Sequence, residues 1–153
     1  MKYTNKKRQI AQKFEITKDL AQNLFADCNK LYFNNTIPEL PIEIITNDSV
    51  NGNFVYDINF DTNTTSNYKI QISNWRQRTK NAYISTIIHE IIHYLVISKL
   101  SKQTIKEAAW YEQNSNSEKV DELLYNGKYA HSNEWLKIAS NINKIYGIKI
   151  HKE

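Results

Sequence analysis

The sequence predicts one α+β domain in which a small three-stranded sheet packs on helices. Three short segments rich in Ile, Val, Phe and Tyr lie at about 42–46, 53–60 and 68–73, and turn-forming residues separate them. Segments with helical periodicity precede and follow these strands, so strands and helices are segregated along the chain. At 153 residues and 41% hydrophobic content, the chain is long enough to bury one core.

The N-terminal part is expected to contain a basic arm and then a helix. Residues 1–16 are polar and rich in Lys and Arg, which favours a mobile or loosely packed arm, and 17–153 then form the domain. Thr17 is a suitable N-cap for a helix over 17–34, because an apolar stripe at helical spacing follows it. Cys28 belongs to this stripe, so we interpret it as a small buried residue rather than a nucleophile.

The segment at about 79–100 is predicted to form a helix that is buried nearly all round. It contains no Pro or Gly, and its apolar residues include Ile84, Ile87, Ile88, Ile91, Ile92, Leu95, Val96 and Ile97. Within it lies an HExxH motif, in which His89 and His93 project from one face a single turn apart. Glu90 stands beside them.

Three polar residues in a buried helix cost free energy unless they are paired or ligated. A divalent ion bound by the two imidazoles would remove that cost, and the adjacent carboxylate could hold a water molecule. The alternative is that the motif has arisen by chance in a protein without a metal.

A catalytic zinc site needs a third protein ligand and one open position. His131 is one candidate, since it precedes a final helix with the apolar stripe Trp135, Ile138, Ala139, Ile142 and Ile145. The alternative role for His131 is a helix cap at the surface. The other candidate ligands are the carboxylates of the intervening segment, namely Glu112, Glu118, Asp121 and Glu122. His151 is near a terminus and is expected to be exposed.

Two short helices are expected between the motif and His131. Residues 104–107 and 115–118 each match the capping-box pattern, with Thr104 and Ser115 as the N-caps. Tyr111, Tyr125 and Tyr129 flank this segment and are candidates for the lining of a cleft.

Further segments carry a resemblance to a known family. Residues 31–44 resemble an opening helix, an aromatic-Asn turn and a first strand; 52–56 resemble a strand that starts with Gly; 68–73 resemble the strand before the active-site helix. His131, with Trp135 four residues later, resembles a third metal ligand followed by an aromatic residue. Taken together and in this order along the chain, these segments and the HExxH motif resemble the SprT-like zinc metallopeptidase domains. We expect Trp135 to pack under the metal site.

The resemblance implies a zincin-like fold and an intracellular endopeptidase that binds one Zn²⁺ per chain. The ligands would be His89, His93 and His131, and Glu90 would be the general base. The strand at 68–73 is a candidate edge onto which an extended protein or peptide substrate adds by backbone pairing.

The chain also departs from the family pattern. Ser132 follows His131 where the family commonly has Gly, and the segment between His93 and His131 is longer than expected. The single Cys excludes the Cys-rich zinc ribbon that family members often carry. Two alternative functions follow: a nucleic-acid-associated module with a structural or inactive zinc site, and hydrolysis of a non-peptide amide.

The positive charge of the chain is modest, with a net charge of +4. Trp75, Arg76, Arg78 and Lys80 precede the active-site helix and combine an aromatic ring with cations, a pattern that suits phosphate contacts and base stacking. Some SprT-like proteases depend on DNA, so the resemblance makes DNA a candidate partner. The alternative is a solvated loop.

The sequence also predicts a protein of the cell interior. No apolar run approaches the roughly 18 residues of a membrane span, and the basic start of the chain lacks the apolar region of a secretory signal. One Cys fits a reducing compartment. We therefore expect a cytoplasmic location without membrane contact.

Overall fold

A computed structural model of the chain describes residues 13–124 and 133–150. Its fold is α+β, as the sequence predicts. The helices in this part are α1 (Lys18–Tyr32), α2 (Lys80–Ile97), α3 (Lys102–Gln113), α4 (Ser117–Leu124) and α5 (Asn133–Tyr146). The strands are β1 (Lys13–Phe14), β2 (Ile42–Ile45), β3 (Gly52–Asn59), β4 (Thr64–Ser73) and β5 (Arg78–Thr79).

The main sheet is three-stranded and mixed, in the order β2-β4-β3. Strand β2 pairs with β4 in parallel, with Ile42 opposite Ile70, and β3 pairs with β4 antiparallel, with Gly52 opposite Ile72. The strand predicted at 68–73 is therefore the central strand, and its prediction as an edge for substrate is wrong. Strands β2 and β3 are the edges, and β3 is the edge that contacts α2. Strand composition alone does not reveal which neighbours a strand will have.

Strand β3 is irregular near its middle. The register with β4 shifts between Val55 and Asp57, where Tyr56 alone lies opposite Asn67 and Tyr68, so the extra residue of this bulge belongs to β4. A bulge re-aims a side chain, and the Tyr56 hydroxyl here donates a hydrogen bond to the carbonyl oxygen of Leu124. Strand β3 is thereby joined to the end of α4.

Helix α1 begins where the sequence predicts. The Thr17 hydroxyl accepts a hydrogen bond from the N–H of Leu20 (3.3 Å), as an N-cap does. One face of the helix is buried, and its buried residues are Ala21, Leu24, Phe25 and Cys28. The side chain of Gln22 accepts a hydrogen bond from the N–H of Ile42 (2.8 Å), which fixes α1 against the start of β2.

The last residues of the predicted arm belong to the folded domain. Strand β1 pairs antiparallel with β5, and Ile16 is buried in the core. The Phe14 ring packs on Tyr83 of α2 at 6.2 Å between centroids. The domain therefore extends N-terminally of the predicted boundary at residue 17, and residues 1–12 lie outside the described part.

Helix α2 lies at the centre of the fold. Its N-cap is Thr79, whose hydroxyl accepts from the N–H of Ala82 (3.2 Å), so the predicted helix is confirmed. The helix contacts α1, α5 and strands β3, β4 and β5. Because neighbours surround it, its isoleucines at four central positions, Ile87, Ile88, Ile91 and Ile92, have no exposed surface.

Helices α3 and α4 pack on each other over a small second core of Ala108, Val120, Leu123 and Leu124. Both start at caps that differ from the predicted ones. Ser101 accepts from the N–H of Thr104 (3.1 Å), and Asn116 accepts from the N–H of Lys119 (3.2 Å). The predicted cap at Ser115 is wrong because that residue has a φ of 55°, in the left-handed region. Among the helices in the described ranges, none has the length and apolar character needed to cross a membrane.

Candidate metal centre

The helical spacing of the motif brings the two histidines together on one face of α2. The Nε2 atoms of His89 and His93 are 3.1 Å apart. Two nitrogens that each bind one tetrahedral ion at about 2.0–2.1 Å are about 3.3 Å from each other. The two imidazoles are therefore spaced as a pair of ligands to one small ion would be.

Glu90 completes a compact group of donors. Candidate ligand atoms of His89, Glu90 and His93 all lie within 4.8 Å of one another. His89 is 5% exposed and Glu90 is 3% exposed. This group could hold a metal ion, and within residues 13–124 and 133–150 it is the one group of three or more His, Cys, Asp or Glu residues arranged in this way.

The other predicted ligands are not in this cluster. Glu112, Glu118 and Asp121 are exposed on α3 and α4. Glu122 forms an ion pair with Lys119 at 3.2 Å on the surface of α4. His131 and His151, the remaining sequence candidates, lie outside the described residues.

Helix α5 supplies the packing beneath the two imidazoles. The Trp135 ring lies 4.8 Å from the His89 ring and 5.7 Å from the His93 ring, measured between centroids. Trp135 is 1% exposed. Trp135 is therefore buried, as predicted, and it packs against the two motif histidines; its predicted effect on His131 concerns a residue outside the described ranges. A wide, rigid indole restricts the ring orientations open to His89 and His93.

Gly52 allows strand β3 to approach α2 closely. A Cβ at this position would lie 2.8 Å from Cγ2 of Thr86, 2.9 Å from the carbonyl oxygen of Gln71 and 3.3 Å from Oε1 of Glu90. Any side chain would therefore force the strand away from the helix or displace the carboxylate. The sequence marks Gly52 as the start of a strand but does not reveal this contact, because it joins residues far apart in the chain.

The cluster opens into a cleft with a volume of about 680 Å³. His89, Glu90 and His93 form part of its lining, and the first half of β3 forms another part. The cleft is large enough for a segment of extended chain and falls in the range of small-molecule sites.

Along this cleft, β3 is an edge strand among the residues that the structure describes. The N–H of Ile70, opposite Phe54, donates to the carbonyl of Pro41 (3.0 Å) and so is turned away from β3. The pair Phe54–Ile70 therefore makes no hydrogen bonds across β3 and β4. Such pairs recur at every second residue of an antiparallel ladder, so the pair Gly52–Ile72 is also a non-hydrogen-bonded pair. The backbone N–H and C=O groups of Gly52 and Phe54 consequently point away from β4, and both residues line the cleft.

The four residues proposed to contact nucleic acid have different environments. Trp75 is 38% exposed and the Arg76 guanidinium stacks on its ring at 4.7 Å. Both residues line the cleft. Lys80 is exposed at the start of α2 but is not part of the lining.

Arg78 serves the fold instead. Its guanidinium donates to Oγ1 of Thr86 (2.9 Å) and to the carbonyl of Ala82 (3.2 Å). It also lies over the Tyr83 ring, 5.2 Å from the centroid. Arg78 therefore anchors the first turns of α2, and its hydrogen-bonding groups are turned towards the protein.

Among the tyrosines that the structure describes, Tyr56 is the one in the cleft lining, and no pattern in the sequence indicates this position. Tyr111 packs on the second core, with its ring against Trp110, and is not part of the cleft lining. Tyr125 and Tyr129 lie outside the described residues.

Burial raises the pKa of Cys28 to about 12, with a smaller contribution from Asp27, so its thiol stays protonated and unreactive at neutral pH.

Comparison with protein-family models and with curated proteins gives no match. The interpretation of the site therefore depends on its own geometry and on the sequence pattern.

Proposed function

We propose that the protein is a zinc-dependent endopeptidase with a zincin-like site, of the SprT-like kind that its sequence resembles. The observation that carries this proposal is the buried cluster of His89, Glu90 and His93 at the wall of a cleft bordered by a strand edge. Two imidazoles one helical turn apart, with a carboxylate next to the first, are the motif expected for a hydrolytic zinc site, in which the imidazoles bind the ion and the carboxylate is the base.

The metal would be held by Nε2 of His89 and Nε2 of His93, with His131 as the third ligand predicted from sequence. A zinc ion bound there supplies a Lewis acid for the scissile carbonyl and lowers the pKa of a coordinated water towards about 7. Trp135 keeps both imidazoles in place, because its ring packs against each of them.

Glu90 would act as the general base. Its carboxylate is buried beside the two imidazoles, and Oε1 faces the backbone of β3 at Gly52. In this position it can take a proton from a water molecule in the cleft and pass it to the leaving amine nitrogen. The absence of a side chain at Gly52 leaves room for that carboxylate.

The substrate would bind as an extended strand along β3. The outward N–H and C=O groups of Gly52 and Phe54 offer two pairing positions, and antiparallel pairing is the more stable arrangement per residue. Gly52 lies beside Glu90, so backbone pairing there would hold a peptide bond close to the base. The sequence alone suggested the strand at 68–73 as the edge that pairs with substrate, and we propose β3 in its place.

The decisive experiment measures cleavage of a peptide library by the zinc-loaded protein and by its Glu90→Gln variant. Gln keeps the shape of the side chain but cannot accept the proton, so we expect unchanged zinc content and hydrolysis slower by roughly two or more orders of magnitude. Glu107→Gln, at an exposed position on α3, is the matched control and should cleave at the parental rate. Equal rates for Glu90→Gln and the parent would exclude this mechanism.

A further inference from the structure

We infer that Arg76, stacked on Trp75, binds a carboxylate of the substrate on the C-terminal side of the scissile bond. The inference rests on the proposed peptidase function and adds a specificity to it. The carboxylate can belong to an Asp or Glu side chain or to the free C-terminus of a peptide, because both present the same group to a guanidinium.

The sheet places Arg76 at a defined end of the cleft. Strands β3 and β4 are antiparallel, so the end of β4 meets the start of β3, where the N–H of Ser73 donates to the carbonyl of Asn51 (2.9 Å). Trp75 and Arg76 follow directly after this point. Both line the cleft that contains the metal cluster, and they do so beyond the Gly52 end of β3.

The guanidinium of Arg76 is available for a ligand. The ion pairs within residues 13–124 and 133–150 are Lys69–Glu43 and Lys119–Glu122, so Arg76 has no carboxylate partner there. Its guanidinium carbon lies over the Trp75 ring, 4.7 Å from the centroid. A guanidinium positioned on an aromatic ring in this way can still bind a carboxylate through two parallel hydrogen bonds.

Asp48 also lines the cleft and carries the opposite charge. It does not form an ion pair with Arg76. Its charge would weaken the attraction of Arg76 for a substrate carboxylate, since like charges in one cleft repel. Asp48→Asn should therefore strengthen the preference that Arg76 creates.

The direction of the substrate follows from strand pairing. A peptide that pairs antiparallel with β3 has its C-terminal end at the start of β3, where Asn51 and Gly52 lie. Arg76 is beyond that end, and Glu90 lies beside Gly52. The residues that reach Arg76 are therefore those that follow the scissile bond.

A peptide carboxylate fits this site better than a nucleic-acid phosphate. A strand of nucleic acid is bound by several cations that follow its backbone. Arg78, the nearest cation in sequence, is directed into the protein by Thr86 and Ala82. Arg76 instead shares a cleft with the proposed catalytic residues, where it would bind a single charged group of the substrate.

The test measures binding of fluorescent peptides to the zinc-loaded Glu90→Gln protein, which separates recognition from cleavage. The peptides differ only at one position C-terminal to the cleaved bond, which is Glu, Gln or Lys, and each is made with a free and with an amidated C-terminus. We expect the Glu peptide to bind about tenfold more tightly than the Gln peptide, since a hydrogen bond to a charged group at a half-exposed site supplies about that factor. Equal binding of the Glu and Gln peptides with a free C-terminus, together with weaker binding of both on amidation, would identify the terminal carboxylate as the ligand.

Two variants and one control assign the effect to Arg76. Arg76→Ala should remove the difference between the Glu and Gln peptides, and Arg76→Glu should reverse the order so that the Lys peptide binds best. Lys106→Ala removes an exposed cation of α3 outside the cleft and should keep the parental preference. The reversal cannot come from unfolding, because an unfolded protein has no preference to reverse.

Equal binding of all the peptides, or a preference for Glu only on the N-terminal side of the bond, would overturn the inference. So would an oligonucleotide that binds in an Arg76-dependent manner when no peptide does. Cleavage by the parent without any charge preference would contradict only the Arg76 subsite. If the peptides bind in a charge-dependent manner but the parent protein does not cleave them, only the proposed peptidase function would be contradicted.

Discussion

Gly52 determines how closely strand β3 can approach helix α2. Its Cα faces Thr86 and Glu90 of α2 on one side and the backbone of Gln71 on the other. The need for glycine here is spatial, because the missing Cβ would have to occupy volume that these atoms already fill.

Gly52→Ala should therefore impair both stability and catalysis. We expect a loss of about 1–3 kcal/mol in the free energy of unfolding from overpacking, together with slower cleavage because Oε1 of Glu90 must move. Denaturant unfolding and the turnover rate at saturating zinc measure the two effects.

Gly147→Ala is the matched control for this change. Gly147 has a φ of 66° and no atom within 4 Å of the position of a Cβ. Alanine there should cost about 1–2 kcal/mol of backbone strain and leave the turnover rate unchanged. A Gly52→Ala protein with parental stability and rate would contradict the close contact.

The third metal ligand can be assigned by zinc analysis of single variants. His131→Ala should lower zinc affinity by orders of magnitude, because removal of one of three ligands leaves a two-histidine site. Glu112→Ala is the control among the carboxylates considered as alternatives, and it is exposed on α3. Full zinc content in His131→Ala, measured by metal analysis after dialysis, would exclude His131 as a ligand.

At the scale of secondary structure, the site depends on the packing of α5 against α2. Trp135 reaches across from the first turn of α5 to both imidazoles. It is among the largest fully buried side chains of the described residues. The Trp135 indole thus contributes to the core and also to the orientation of the His89 and His93 rings.

Trp135→Ala should destabilise the protein by about 3–5 kcal/mol, the range for truncation of a buried aromatic residue. Zinc affinity should fall as well, since the His89 and His93 rings lose the surface that restricts their rotation. Thermal unfolding of the metal-free protein and zinc titration give the two quantities separately. Trp110→Ala, at a position that is 57% exposed, should change neither.

Local patterns predict some of these elements well and others poorly. Helix α2 was predictable because a long, largely apolar segment without Pro or Gly follows Thr79, a suitable N-cap. The start of α3 was not, because Ser101 and Thr104 are equally suitable caps and only packing selects between them. The central place of β4 was not predictable either, since pairing with β2 and β3 depends on residues distant in sequence.

The cluster of His89, Glu90 and His93 was likewise predictable from local sequence, whereas its surroundings were not. His89, Glu90 and His93 are neighbours on one helix, so helical geometry alone brings them together. Gly52 and Tyr56 reach the cleft from another strand, through the pairing of β3 with β4 and the register shift between them. No spacing rule within the chain connects these residues with the motif.

At the scale of the whole molecule, metal binding should appear as added stability. A ligand that binds only the folded state stabilises it by about 4 kcal/mol at a concentration a thousand times its Kd. For a chain of this size, that corresponds to a rise of about 10 °C in Tm. Thermal unfolding with and without zinc measures it, and His89→Ala should show no rise. An unchanged Tm of the parent in zinc would contradict a specific site.

The position of α2 among its neighbours also affects when the metal can enter. Its central isoleucines are fully buried among the neighbouring elements, so packing alone places His89 and His93 beside each other. Small zinc modules, in contrast, are unfolded until the metal binds. If the chain binds zinc as proposed, it should therefore be able to fold as an apoprotein and take up the ion afterwards. Which divalent ion it carries would then depend on its imidazole donors and on the metals available in its compartment.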